Sequence, residues 1–272
     1  MDRVLMVERQ AEMRMREALL CGVCCWAAGV VLCGCAQTGR HETLYQVSTL
    51  AALMDGRYDG LTTVADLRTR GDLGIGCFHA LDGEMILLDG RCFRVSADGQ
   101  VRQAGPRDTM PFAAVTFFEA EKGWPLAAGW TFEQCRNELD SRLPTANLPY
   151  AIRITGRFAY VKTRSVPRQA KPYPPLVKVA EHQPTFEFRD VEGVMVGFRL
   201  PEYLSGVNMA GYHLHFLTAD RTGGGHVLDF TAEDARIEID DCSRFDLVLP
   251  TDEAFGKADL SKANRDVETV ER

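Results

Sequence analysis

The chain has 272 residues, 46% of them hydrophobic and 25% charged. These proportions exclude a collagen-like, coiled-coil or largely disordered protein. Its 31 Lys+Arg against 38 Asp+Glu give a formal net charge of -7 with no Lys/Arg block, which argues against a nucleic-acid partner, because such binding needs clustered cations to release counterions.

Residues 18–39 carry no charge, follow Arg14 and Arg16, and include Leu32-Cys33-Gly34-Cys35. A basic start, an apolar middle and small residues before a cysteine predict a leader over 1–35. Its last four residues are similar to a bacterial lipobox, which makes Cys35 the expected lipid-bearing first residue of an exported, membrane-anchored protein. Residues 1–12 do not fit such a leader, so Met13 or Met15 is the expected start. The rival expectations are an uncleaved anchor, since the run approaches the ~20 residues a span needs, and a cytoplasmic protein whose leader is not used.

After a short tether, residues 45–55 carry apolar side chains at near-helical spacing, with Gly56 as a cap. The run Gly71-Asp-Leu-Gly-Ile-Gly-Cys-Phe78 has neither the GKS/GKT of a phosphate loop nor GxGxxG spacing, so it reads as tight turns with close backbone approach. Residues 84–88 and 91–95 read as strands joined by Asp89-Gly90, a strong hairpin signal. A second turn is expected at Asp98-Gly99 and a strand at 111–118. Thr131 with Gln134 three residues later is a capping box that opens a helix to about Leu143. Strands are expected at 151–155 and 157–163. The segment from Pro167 to Pro175 holds four prolines and breaks both helix and sheet. Beyond it, strands are expected at 185–189, 193–199, 211–217, 225–230, 235–239 and 245–249, with a short helix within 258–271. The pattern predicts an α+β fold in two parts, 36–165 and a strand-rich 166–272.

Five of the nine cysteines precede residue 36. The others, Cys77, Cys92, Cys135 and Cys242, have no CxxC spacing, so buried, unpaired thiols are expected rather than a zinc knuckle.

Chemistry concentrates in Gly211-Tyr-His-Leu-His-Phe216. Residues i and i+2 of a strand share a face, so His213 and His215 present two imidazoles side by side. A glycine-rich turn before His226 returns a third. Three neutral imidazoles are the ligand set of a catalytic zinc site, although imidazole also suits iron, copper and nickel. A cation for an anionic substrate is expected from Arg164, with Arg153, Arg157 and Arg168 as alternatives. Glu84 opens an otherwise apolar strand, either as a solvated strand end or as a functional acid.

These segments, with Tyr45-Gln-Val-Ser-Thr-Leu50, Gly71-Asp-Leu-Gly-Ile-Gly76, Leu81-Asp-Gly-Glu-Met-Ile86, Pro111-Phe-Ala-Ala-Val115, Val161-Lys-Thr-Arg-Ser165 and Gly224-Gly-His-Val-Leu-Asp229, resemble the α-acetolactate decarboxylase family in order and spacing over 43–272. The resemblance implies zinc decarboxylation of (S)-2-acetolactate to (R)-acetoin and carbon dioxide, in acetoin and 2,3-butanediol formation. It implies His213, His215 and His226 as Zn2+ ligands, and Glu84 and Arg164 as active-site residues. A second active-site glutamate falls on Glu271 or Glu268, with Glu271 favoured. It also implies two mixed-sheet α/β parts, a C-terminal tail that returns to the metal site, and a homodimer. Cys77 stands where the family usually has Thr, which replaces a hydroxyl near the site by a weaker hydrogen-bonding thiol. Two rival readings remain. One is a cupin-like metal oxygenase, with Asp220 near the place of that fold's acidic ligand. The other is a non-enzymatic zinc-binding lipoprotein.

Overall fold

The computed structural model describes residues 42–260. The leader with Cys35, most of the helix expected at 258–271, and both Glu268 and Glu271 lie outside the described residues.

The first half contains β1 (Thr43–Val47), α1 (Leu50–Met54), β2 (Thr62–Thr63), α2 (Val64–Leu67), β3 (Leu73–Cys77), β4 (Glu84–Leu88) and β5 (Arg91–Val95). It continues with β6 (Val101–Gln103), β7 (Thr109–Met110), β8 (Phe112–Thr116), β9 (Lys122–Leu126), α3 (Phe132–Arg142) and β10 (Tyr150–Arg164). The second half contains α4 (Leu176–Ala180), β11 (Thr185–Leu200), β12 (Gly211–Thr218), β13 (Gly224–Asp241), β14 (Arg244–Val248) and α5 (Glu253–Gly256). This is the mixed, strand-rich composition with few helices expected from the sequence.

Seven strands form one sheet in the order β14-β1-β8-β3-β4-β5-β6, in which only β1–β14 is parallel. A second sheet runs β10-β11-β12-β13-β9, and β10 also pairs with β13. Strands β10 to β13 therefore close into a ring. The sheets exchange strands across the proline segment: β10 precedes it yet pairs along its length with β11, while β14 joins β1.

Burial explains why the strands read as they do. In β4 all five residues are buried, with Ile86 and Leu88 in the cluster shared with Val194, Val196 and Leu217 of the second sheet. Met85 and Leu87 point the other way, into a cluster with Val64 and Phe78. A strand covered on both faces loses its alternation and becomes a short apolar run. Glu84 shares the face of Ile86 and Leu88, which directs it toward the second sheet. The ring encloses Phe158, Met195, Phe216 and Phe230, and α3 adds Cys135 and Leu139.

Several expectations hold. Asp89 (φ 49) and Gly90 (φ 70) make the tight β4–β5 turn, and the Thr131/Gln134 capping box opens α3. Cys77, Cys92, Cys135 and Cys242 are buried and form no disulfide, and burial pushes the last three thiols up to about 12. Other expectations need correction. Residues 45–55 are not one helix: Tyr45 to Val47 pair with both β8 and β14, Ser48 turns the backbone (φ 63), and only Leu50–Met54 is helical. Pairing on two sides outweighs a helical spacing that five residues also satisfy. The Gly71–Phe78 run holds a strand, β3, rather than turns alone. The close approach is real, because a Cβ on Gly76 would lie 2.4 Å from the Phe112 carbonyl oxygen. The paired short strands at 151–163, 185–199 and 225–239 are each continuous. Among them, β10 absorbs its irregularity through register shifts against β13 around Phe158.

One buried acid makes a stability prediction. Asp240, 2% exposed on β13, accepts a hydrogen bond from the Glu119 backbone N–H (2.9 Å). Burial, reinforced by Glu121, Asp241 and Glu119, raises its pKa to about 7 from 3.8. The folded chain then holds a proton that the unfolded chain releases, so stability falls as pH rises from about 4 to about 7. Asp240→Asn keeps an acceptor and removes this penalty. Its Tm should match wild type near pH 4 and exceed it by several degrees at pH 8; thermal scans at the two pH values check this, and equal Tm values at pH 8 would refute it.

Candidate active site

The strand pairing assembles the site. In β12, His213 and His215 lie two residues apart, and His215 is the direct partner of His226 on β13. On the opposite edge of β13, His226 is the partner of Arg164 on β10. A Cβ on Gly225 would lie 2.4 Å from the Arg164 carbonyl oxygen, so glycine there permits the approach of the two strands. In the facing sheet, Glu84 is paired with Cys77 and lies with its Oε2 3.6 Å from His215 Nε2.

All three rings are buried, with centroids 4.8–5.4 Å apart. His215 Nδ1 donates to the Met85 carbonyl oxygen (2.9 Å), which fixes its tautomer and leaves Nε2 with a lone pair. Arg164 Nη2 lies 3.3 Å from His226 Nε2. Since arginine only donates, His226 carries its proton on Nδ1 and donates to His213 Nε2 (3.1 Å). Burial and then Arg164 push His213 down to about 3. Burial also holds His215 and His226 well below the ordinary histidine value, helped first by His213 at His215 and by Arg164 at His226. All three imidazoles are therefore neutral at physiological pH, which is the form that ligates a metal.

The arrangement fits a metal ion. His213, His215 and His226 offer nitrogen atoms within 4.8 Å of one another. His213 Nδ1 and His215 Nε2 are buried with no hydrogen-bond partner, and such orphans are rare outside functional sites. Ligand atoms at zinc–nitrogen distances of 2.0–2.1 Å sit about 3.4 Å apart on a tetrahedron; His226 Nδ1 and His213 Nε2 stand 3.1 Å apart, so a metal bound to both would displace the proton they share. Asp220, by contrast, is held by Thr218 and Thr222 in a surface turn and is absent from this group among the described residues.

A small cavity of about 40 Å³ opens beside the rings. Glu84, Arg164, Cys77 and Gln183 line it with polar groups, and Leu50, Leu53, Leu81, Phe112, Val166 and Leu176 form its apolar wall. Arg164 is 4% exposed and faces inward. The alternatives point outward to carboxylates: Arg153 to Glu238 (2.9 Å), Arg157 to Glu233 (2.8 Å) and Arg168 to Asp82 (3.2 Å). Sequence reasoning missed the apolar wall and Gln183, because these residues come from α1, β8, α4 and loops that no local pattern connects. Leu81 carried one signal, its place before Asp-Gly: it adopts a left-handed backbone (φ 54) that turns the chain into β4.

The family described as alpha-acetolactate decarboxylase matches residues 44–262. The alpha-acetolactate decarboxylase of Methylococcus capsulatus is 48% identical over 224 residues, 82% of this chain and 85% of that one. That of Methanosarcina mazei is 46% identical over 232 residues, covering 85% and 81%. The crystal structure of the Bacillus subtilis alpha-acetolactate decarboxylase superposes with a TM-score of 0.82 at 42% identity, over 84% of this chain and 99% of that chain. With a match over nearly all of the described residues, the chain belongs to the alpha-acetolactate decarboxylase family, a family of carboxy-lyases.

Proposed function

We propose that this chain converts (S)-2-acetolactate to (R)-acetoin and carbon dioxide with a zinc ion held by His213, His215 and His226, in acetoin and 2,3-butanediol formation. The observation that carries this reading is the convergence on one cavity of three neutral imidazoles, the Glu84 carboxyl and the Arg164 guanidinium. A divalent cation held there supplies Lewis-acid polarisation of substrate oxygens.

The chain's own residues do the rest. As the bond to the carboxylate breaks, its electron pair passes toward the adjacent ketone, carbon dioxide leaves, and the resulting enediolate takes a proton at the carbon that lost the carboxylate. The ketone is the electron sink, so no thiamine or pyridoxal is required. Arg164 holds the carboxylate and then faces the enediolate charge, and its burial strengthens that interaction over what water would allow. A glutamate in its acid form, Glu84 or Glu271, delivers a proton to one face and sets the hand of the product. Glu271, with Glu268 as the alternative, is the second carboxylate of this reading; either it or Glu84 is the donor. The apolar wall keeps bulk water from supplying the proton instead. The reading also includes a homodimer, and membrane attachment through a lipid on Cys35. That attachment would put the reaction outside the compartment in which acetolactate is made.

Acetoin formation from racemic 2-acetolactate should stop on incubation with a chelator and return when zinc is added back. Undiminished turnover by demonstrably metal-free protein would end the metal-dependent reading. His213→Ala and His226→Ala should each lose metal and turnover together, measured by elemental analysis and acetoin assay. Glu84→Gln should keep its metal and lose about 10²–10⁴-fold in kcat; an unchanged kcat would exclude Glu84 as the proton donor.

A further inference from the structure

Apart from the three histidines, the cavity contains among the described residues one strong uncharged hydrogen-bonding side chain, Gln183. It is half-buried between α4 and β11, and its side-chain amide has no hydrogen-bond partner among the described residues. Its position is nonetheless well determined. Ser165 N donates to the Pro184 carbonyl oxygen (3.2 Å), and the next residue, Thr185, is the ladder partner of Arg164. Gln183 therefore sits where β11 begins, just past the end of the ladder that carries Arg164, and both side chains line the same cavity.

A carboxylate entering this cavity exchanges water for a largely apolar wall, a transfer that is costly unless its lone pairs find donors. A carboxylate offers about four acceptor sites, and a guanidinium satisfies two in a bidentate pair. The remaining donors are few. His215 Nδ1–H is committed to Met85, His213 and His226 belong to the metal-binding group, a thiol at Cys77 is a weak donor, and among the described residues the amide of Gln183 is the remaining strong one.

Resting on the decarboxylase reading above, we propose that Gln183 binds the substrate's carboxylate through its side-chain N–H, beside Arg164, as a specificity-determining contact for 2-hydroxy carboxylates. The division of labour follows from charge. Arg164 carries a full positive charge, so it remains useful as negative charge moves from the carboxylate into the enediolate. A neutral amide bonds the carboxylate but holds departing carbon dioxide only weakly. Its contribution therefore falls on substrate capture and appears in KM, with kcat nearly unchanged.

The test uses two substitutions of similar length, Gln183→Met and Gln183→Glu, in the full metal-loaded chain, with metal content and thermal scans as folding controls. The probe is 2-hydroxy-2-methylpropanoate, which has the carboxylate and tertiary hydroxyl but no ketone and so cannot react. Gln183→Met should raise both KM for 2-acetolactate and the inhibition constant of the probe about 10- to 100-fold, the range for a hydrogen bond to a charged group, with kcat within about threefold. Gln183→Glu, which sets a like charge against the carboxylate, should be worse than Gln183→Met. Inhibition by acetoin, which has no carboxylate, should be unchanged in both. If Gln183 only fills space, these variants behave as wild type, and that result would overturn the proposal. A loss confined to kcat would overturn it as well. A wild-type chain that makes no acetoin would instead overturn the decarboxylase reading on which the proposal rests.

Discussion

One rung of backbone pairing holds the active site together. Its members are Arg164 on β10, His226 on β13 and His215 on β12, each directly opposite the next. Opposed residues on one face of antiparallel strands have Cβ atoms about 4.5–5.5 Å apart, and this spacing delivers the rings of His215 and His226 at 5.4 Å between centroids. Because β10, β11, β12 and β13 close into a ring, no strand can slip without disrupting two ladders. A one-residue slip would send each histidine to the other face. The unusually long strands of this sheet are what make the register secure.

The same burial sets the electrostatics. Three imidazoles removed from water refuse protons, and Arg164 beside them reinforces that refusal. The nitrogen lone pairs are thereby kept available at neutral pH. Adding a divalent cation next to a buried guanidinium would concentrate positive charge, which the Glu84 carboxyl, the one acid lining the cavity among the described residues, offsets at most in part. Such a cavity favours an anionic ligand before any specific contact is considered.

What could be read from the sequence, and what could not, follows from the range of each interaction. The His213/His215 spacing is a property of any strand, and the Asp89-Gly90 turn and the Thr131/Gln134 cap are complete within a few residues. All were legible. The helix expected over 45–55 failed because β1 is defined by β8 and β14, some 70 and 200 residues away in the chain. The breaks expected within β10, β11 and β13 span Gly156, Asp190 and Asp234, where the ladders run on through the irregular positions. Arg164 could not be separated from Arg153, Arg157 and Arg168 by spacing, since what distinguishes it is that it faces the cavity while the others reach Glu238, Glu233 and Asp82. Gln183 had no signal at all, because its significance depends on a cavity built from five separate stretches of chain.

The hydrogen bond from His215 to the Met85 carbonyl crosses from one sheet to the other. Glu84 belongs to the same strand as Met85, whereas the ring it faces belongs to β12. The Glu84 carboxyl and the His215 ring are therefore mounted on different slabs, and their separation, 3.6 Å from Oε2 to Nε2, measures how those slabs sit against each other. The packing of Ile86 and Leu88 against Val196 and Leu217 acts as the bearing surface between them. Trimming a methyl group from that surface would let the sheets shear slightly, and the cost would register in the alignment of acid and ring before it registered in unfolding. Aliphatic side chains at the sheet interface thus fix the distance between an acid and a ring that belong to different sheets.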